Sequence, residues 1–295
     1  MLNSAVLDVV IGLIFAFLAI SLAVSALVEA IASMFAWRSK TLLRGIKELL
    51  NDPNFDGLAR SIYNHSLVNP QDGGTAQTVG ELKFLPSYMQ SRQFADALID
   101  VTKITQEAPD KMKVAIAANV ANQQLKTFLE GAVDRTGGDV RKMQAEIAGW
   151  FDNAMDRVGG VYKRWTQVFS FAIALILAIA FNVSAISLGR ALWQQPMLAK
   201  TIAPTSNQTS TQALEQLNDL LHKAQELDVP VGWTGPKLHA LWSSAGIEIA
   251  LGWLITAVAT LFGAPFWFDA LQQIVRLKGS GPSPAEKRTA TGASA

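Results

Sequence analysis

The sequence predicts an all-α membrane protein in which three transmembrane helices carry a helical cytoplasmic domain, inserted between spans one and two. Three observations predict it. First, the chain of 295 residues holds 25 Lys and Arg and 24 Asp and Glu, yet none falls in the apolar windows 9–28, 165–189 and 249–268. About 20 apolar residues at a rise of about 1.5 Å cross a hydrocarbon core of about 30 Å, so each window is long enough for a span. Second, the basic residues that flank these windows are unevenly divided. Third, the long segment between the first two windows has helical rather than alternating periodicity. A water-soluble single domain is excluded. With no cysteine, disulfides and thiolate metal sites are excluded too, and a formal net charge of +1 argues against a nucleic-acid partner.

Residues 1–36 form the first transmembrane helix. A cleaved signal peptide is the rival reading, but the leader MLNSAVLD carries an acid and no cation. Its apolar stretch also exceeds the roughly 7–15 residues of such peptides, so the segment is expected to stay. Residues 37–164 form the helical domain, with helices expected over 41–50, 56–64, 93–104, 110–131 and 138–158, punctuated by Pro53, Pro70, Asp72-Gly73-Gly74 and Pro86. The last is clearest, because Met143, Ile147, Trp150, Phe151, Ala154, Val158 and Tyr162 form one stripe. Gly159-Gly160 interrupts it, either as a tolerated weak point in a continuous helix or as a hinge.

Residues 165–189 are the second span. Residues 190–245 form an external loop with one amphipathic helix, where Leu214, Leu217, Leu221 and Ala224 share a face before Pro230 and Gly232 stop it. Residues 246–268 are the third span, which Pro265 is expected to end or kink at Ala264. Residues 269–278 then read as an amphipathic helix on the inner surface, with Leu271, Ile274 and Val275 on one side. The tail, 279–295, has the composition of a disordered segment.

Orientation follows from basic residues within about 20 positions of the span ends. One side has Arg38, Lys40, Arg44, Lys47, Arg157, Lys163, Arg164, Arg276, Lys278, Lys287 and Arg288; the other has Arg190, Lys200 and Lys237. Eleven against three places the N-terminus outside, 37–164 inside, the 190–245 loop outside and the C-terminus in the cytoplasm. Trp37, Trp165 and Trp267 on the inner boundary, with Trp193 and Trp242 on the outer, agree.

Catalytic and phosphate-binding patterns such as HExxH, GxxxxGK[ST] and GxSxG are missing, so no enzyme activity, cofactor or small-molecule substrate is inferred. The expected topology separates His65 from His222 and His239. Asn64-His-Ser66 and Asn207-Gln-Thr209 match a weakly specific glycosylation pattern and are set aside. Asp152 and Asp156 stand at i and i+4, where like charges repel. A basic partner in the domain is the favoured compensation, with solvation and a divalent cation as the alternatives. Asn182 is the one strongly polar side chain well inside the second span, read as an interhelical hydrogen bond before a conduction path. The span-end charges sort into two layers, Asp8, Arg190 and Glu248 outside and Glu29, Lys163, Arg164 and Asp269 inside. Arg190 is expected to contact Asp8 or Glu248, and Glu29 or Asp269 to contact Lys163 or Arg164, with snorkelling to headgroups as the competing reading. Small residues at four-residue steps, Gly12 with Ala16, Ala19 with Ala23, Ala174 with Ala178, and Gly252 with Thr256 and Thr260, allow close helix approach within the chain or to other subunits.

The strings NHSLV, PSYMQSRQFADALID, GWFDNAMDRVGGVYKRWTQ and GAPFWFDALQQIVRLKGSGPSP resemble segments of an uncharacterised family of bacterial inner-membrane proteins. The resemblance implies a bacterial plasma membrane and no catalytic activity; the first span and the external loop lie outside it. Two function classes follow. The favoured one is a non-enzymatic anchor, scaffold or assembly subunit whose partners are the lipid bilayer and either further copies of itself or other membrane subunits. The alternative is a subunit of a channel or transporter, which requires polar groups converging near the bilayer midplane.

Overall fold

The computed structural model describes residues 4–105, 107–194, 232–233 and 244–279. The expected external amphipathic helix, His222, His239 and the tail from 280 onward lie outside the described residues. All described regular structure is helical. The chain divides into two units, a span unit of residues 1–30 and 166–295 and an inserted unit, Ile31–Trp165.

In the inserted unit, α1 (Ser4–Met34) gives way at Ala36 to α2 (Trp37–Leu49), followed by α3 (Leu58–Tyr63), a single 3-10 turn at Val79–Glu81, α4 (Ser91–Val101), α5 (Pro109–Asn119), α6 (Gln123–Thr136) and α7 (Val140–Ala180). The α-helices after α1 each contribute apolar residues to one core. Leu43 and Ile46 come from α2, Phe94 and Leu98 from α4, Met112 and Ile116 from α5, Leu129 and Val133 from α6, and Met143, Ile147 and Phe151 from α7. The expected single helix over 110–131 is two. Val120 leaves α5 in an extended conformation and is itself buried, while the Asn122 side chain accepts from the Leu125 N–H at 2.8 Å and starts α6. Asn at an N-cap satisfies one of the donors a new helix leaves open, which makes this restart inexpensive. α6 ends at Gly137 in the left-handed conformation that glycine adopts without steric cost.

Two polar devices hold the irregular parts. Asp52, buried, accepts from the backbone N–H groups of Asp56, Gly57 and Ala59 at 2.9–3.0 Å and so caps the approach to α3. Burial alone would raise its pKa, but the backbone hydrogen bonds outweigh burial and hold it below the ordinary carboxylate value. The Asn64 side chain pairs in both directions with the backbone of Ala76, and Asn69 and Asp72 bond Phe84 and Lys83. The Asn64-His-Ser motif therefore fastens the 64–90 loop. Tyr63 and Phe55 are buried beside these ties, their rings edge-on at 5.9 Å.

Among the described residues two helices are long and apolar enough to cross a membrane, α1 and α7. A third is counted only if the bent pair α9 (Ser244–Thr260) and α10 (Gly263–Gly279) is taken as one span. α7 runs unbroken through Gly159-Gly160, as the continuous-helix reading expects. The second span does not continue to 188. α7 ends at Ala180, and α8 (Ala185–Gln194) begins after a four-residue break. α1 lies antiparallel to this broken span: Val24 and Val28 pack with Phe169, Phe171 and Ala174, while Val9, Leu13 and Ala16 pack with Leu188 and Leu192.

The third window departs from expectation in two ways. The bend, 92°, comes at Leu261 and Phe262, ahead of Pro265. Gly263 turns the chain with a φ of 81°, and Pro265 sits in the first turn of α10, where its missing N–H costs nothing. The helix expected over 269–278 on the inner surface is longer, and its apolar side is covered. Leu271, Ile274 and Val275 pack with Val10, Ile11, Ile14 and Leu18 of α1, and Trp267 meets Phe17 at 4.9 Å. α10 thus lies against the first half of α1, away from the end where Val24 and Val28 meet α7. A helix so placed is not an inner-surface helix when the N-terminus is outside. If Arg276 and Lys278 belong with the N-terminal end, the eleven against three behind the expected orientation becomes nine against five.

Candidate functional site at the break in the second span

The break falls between the two contact zones of α1, level with the middle of its uncharged window. Interrupting a helix at such depth exposes backbone polar groups that lipid cannot satisfy, so protein must. Asn182 makes the turn with a φ of 48°, a left-handed geometry that asparagine tolerates better than most residues. Its side-chain oxygen accepts from the Trp253 indole of α9 at 3.2 Å, and its nitrogen donates to the Gly232 carbonyl at 3.0 Å. The Gly232 N–H returns a bond to the Phe181 carbonyl at 2.7 Å. Trp233 donates to the carbonyls of Ile179 and Ala180 that end α7.

On the far side of the break, Ser184 accepts from the Ser187 N–H and caps α8. Thr256 of α9, fully buried, accepts from the Ala185 N–H at 3.1 Å and reaches the carbonyls of Val183 and Gly252 at about 3 Å. Close approach is what makes this possible: a Cβ at Gly252 would land on the Ser184 hydroxyl. The constellation offers amide, hydroxyl and indole groups and no titratable one. Its chemistry is hydrogen bonding, and those groups are taken up by one another. Ser21, buried on α1 at a similar level, has no partner among the described residues.

Asn182 is therefore where the sequence points, with its interhelical hydrogen bond, but it ends a helix instead of decorating one. Arg190 and Glu248 form an ion pair between α8 and α9. The side chain of Asp8 lies outside the described residues. Glu29 and Asp269 are exposed in the span unit, Lys163 and Arg164 are exposed in the inserted unit, and none of the four forms an ion pair with a described residue of its own unit. Among the described residues neither Asp152 nor Asp156 forms the expected pair with a basic side chain; both are solvent-exposed. Among the described residues no group of three or more His, Asp or Glu is placed to hold a metal ion. His65 instead lies 3.4 Å from Asp100.

Sequence reasoning missed Ser184, Trp253 and the paired role of Gly232 and Trp233. The available signals were Asn182 and Ser184 two residues apart in an apolar run, and a tryptophan within a span instead of at its boundary. No known protein family, curated protein or solved structure matches the chain.

Proposed function

We propose that the chain is a non-enzymatic integral membrane protein that anchors a helical domain and serves as an assembly or scaffold subunit. The observation that carries this reading is the saturation of the break. Asn182, Ser184, Trp253 and Thr256 meet near mid-span, as a transport site requires, yet they hydrogen-bond to one another and to the freed backbone. Polar groups used this way hold helices together. The inserted unit supports the same reading with a groove of about 420 Å³ whose walls include Gln124, Phe128, Trp150 and Arg157. Its aromatic rings, Phe128 and Trp150, are stacked at 4.6 Å, the mixture of flat apolar and polar groups that protein partners bury. The bacterial plasma membrane belongs to this proposal, supported by the resemblance of four segments.

The second reading, a channel or transporter subunit, is favoured by the break itself, since discontinuous helices form many transport sites. Purification in mild detergent, with flux measured in proteoliposomes from the same preparation, decides between them. The anchor reading expects a stoichiometric companion protein or homo-oligomer and a passive ion leak no greater than that of protein-free vesicles. A monomer with protein-dependent flux contradicts it.

A further inference from the structure

The inserted unit carries a second feature at the end where α1 enters and α7 leaves. Ala36, with a φ of 50°, ends α1 and turns the chain into α2. α2 and the part of α7 before Trp165 run antiparallel. Trp37 meets Trp165 edge-on at 4.7 Å, and about two turns farther along α2 a Cβ at Gly45 would lie 2.8 Å from a Val158 methyl. Because α2 turns Leu43 and Ile46 into the core, its basic residues face outward, with Arg38 and Lys40 exposed within one turn of Trp37. Lys163 and Arg164 are exposed within one turn of Trp165.

No acidic residue occurs in 37–47 or 157–165, and the exposed acids of α7, Asp152 and Asp156, lie farther from Trp165. None of Arg38, Lys40, Lys163 and Arg164 forms an ion pair among the described residues. Around them Phe35, Val161 and Trp165 each expose about half of their surface. Cations interleaved with exposed aromatic and aliphatic groups match the headgroup layer, where rings take the interfacial depth and Lys and Arg meet lipid phosphate. Charge complementarity and attachment to α1 and α7, the two helices able to cross a membrane, select a membrane surface over a soluble acidic partner.

We propose that the α2–α7 corner, through Arg38, Lys40, Lys163 and Arg164 around the Trp37–Trp165 pair, binds anionic phospholipid headgroups. The proposal rests on α1 and α7 being membrane-embedded but on neither orientation. Native mass spectrometry of the full chain, exchanged against an equimolar mixture of phosphatidylglycerol and phosphatidylcholine in detergent, tests it. The wild type is expected to retain phosphatidylglycerol several-fold over phosphatidylcholine. Arg38→Gln, Lys40→Gln, Lys163→Gln and Arg164→Gln together should bring the ratio to parity, while exchanging Lys for Arg and Arg for Lys at these four positions should preserve it. Replacing Lys103, Lys111, Lys126 and Arg141 by Gln removes as much charge elsewhere in the unit and should leave the preference intact. An unchanged preference in the first variant, as pairing of Lys163 and Arg164 with Glu29 or Asp269 would produce, overturns the proposal; so does an equal loss in the control. Failure of the membrane reading is a different result: alkaline carbonate would strip the wild-type chain from vesicles.

Discussion

Phe94→Ala should cost the inserted unit about 3–5 kcal/mol, the range for truncating a buried aromatic. Phe94 is inaccessible to solvent and stacks on Phe151 of α7 at 4.4 Å, with Trp150 at 6.4 Å. Removing its ring leaves a void bounded by α4 and α7, and helices already committed to the Met112, Leu129 and Met143 core cannot collapse to fill it. Since domains of this kind are stable by only about 5–15 kcal/mol, a large share is lost. Limited proteolysis of the purified chain measures this as accelerated cleavage within 31–165. Val114→Ala, on the exposed face of α5, should leave the cleavage rate near that of the wild type. Equal rates for the two variants would remove Phe94 from the core.

Gly252→Val should have the largest effect in the span unit. The first carbon of the new side chain would collide with the Ser184 hydroxyl and approach the Ser184 Cα to 3.2 Å, so a change of rotamer does not relieve it. The backbone of the break must move away from α9, and the bonds of Thr256 to Val183 and Ala185 move with it. Overpacking costs about 1–3 kcal/mol where side chains can adjust, and backbone displacement places this case at the upper end. A lower melting temperature and loss of a single peak in size-exclusion chromatography in detergent are expected. Gly159→Ala supplies the opposite sign. A Cβ there meets nothing within 4 Å, and alanine in a helix interior gains up to about 1 kcal/mol over glycine. Destabilisation by Gly159→Ala would revive the hinge.

What was legible in the sequence follows from what each pattern measures. A long uncharged apolar run reports a helix long and apolar enough to cross a membrane, and α1 is such a helix. The same run does not report whether the helix is continuous, because the groups that compensate a break come from elsewhere in the chain. Nothing local to Asn182 announces Trp253, Gly232 or Thr256. The stripe on α7 was visible because helical periodicity is local, yet its neighbours set the depth of each member. Phe151 is buried, whereas Trp150, next to it on the stripe, packs on the core half-buried against Phe128. Asn122 inside the expected 110–131 helix was a readable capping residue, outweighed there by the helix-forming residues around it. The apolar side of α10 was read correctly as a stripe and wrongly as a lipid-facing one, since amphipathicity does not distinguish a bilayer surface from another helix.

The central claim is that the polar groups at the break are structural and closed to water. The chain has no cysteine, so single cysteines supply an unobstructed test. Ser184→Cys and Thr256→Cys, in vesicles of both orientations, should resist a charged methanethiosulfonate reagent from either side, while Gly73→Cys on the surface of the inserted unit reacts whenever its side is exposed. Rapid labelling at 184 or 256 from one side, at a rate comparable with Gly73→Cys, would place a water-filled path at the break and contradict the account.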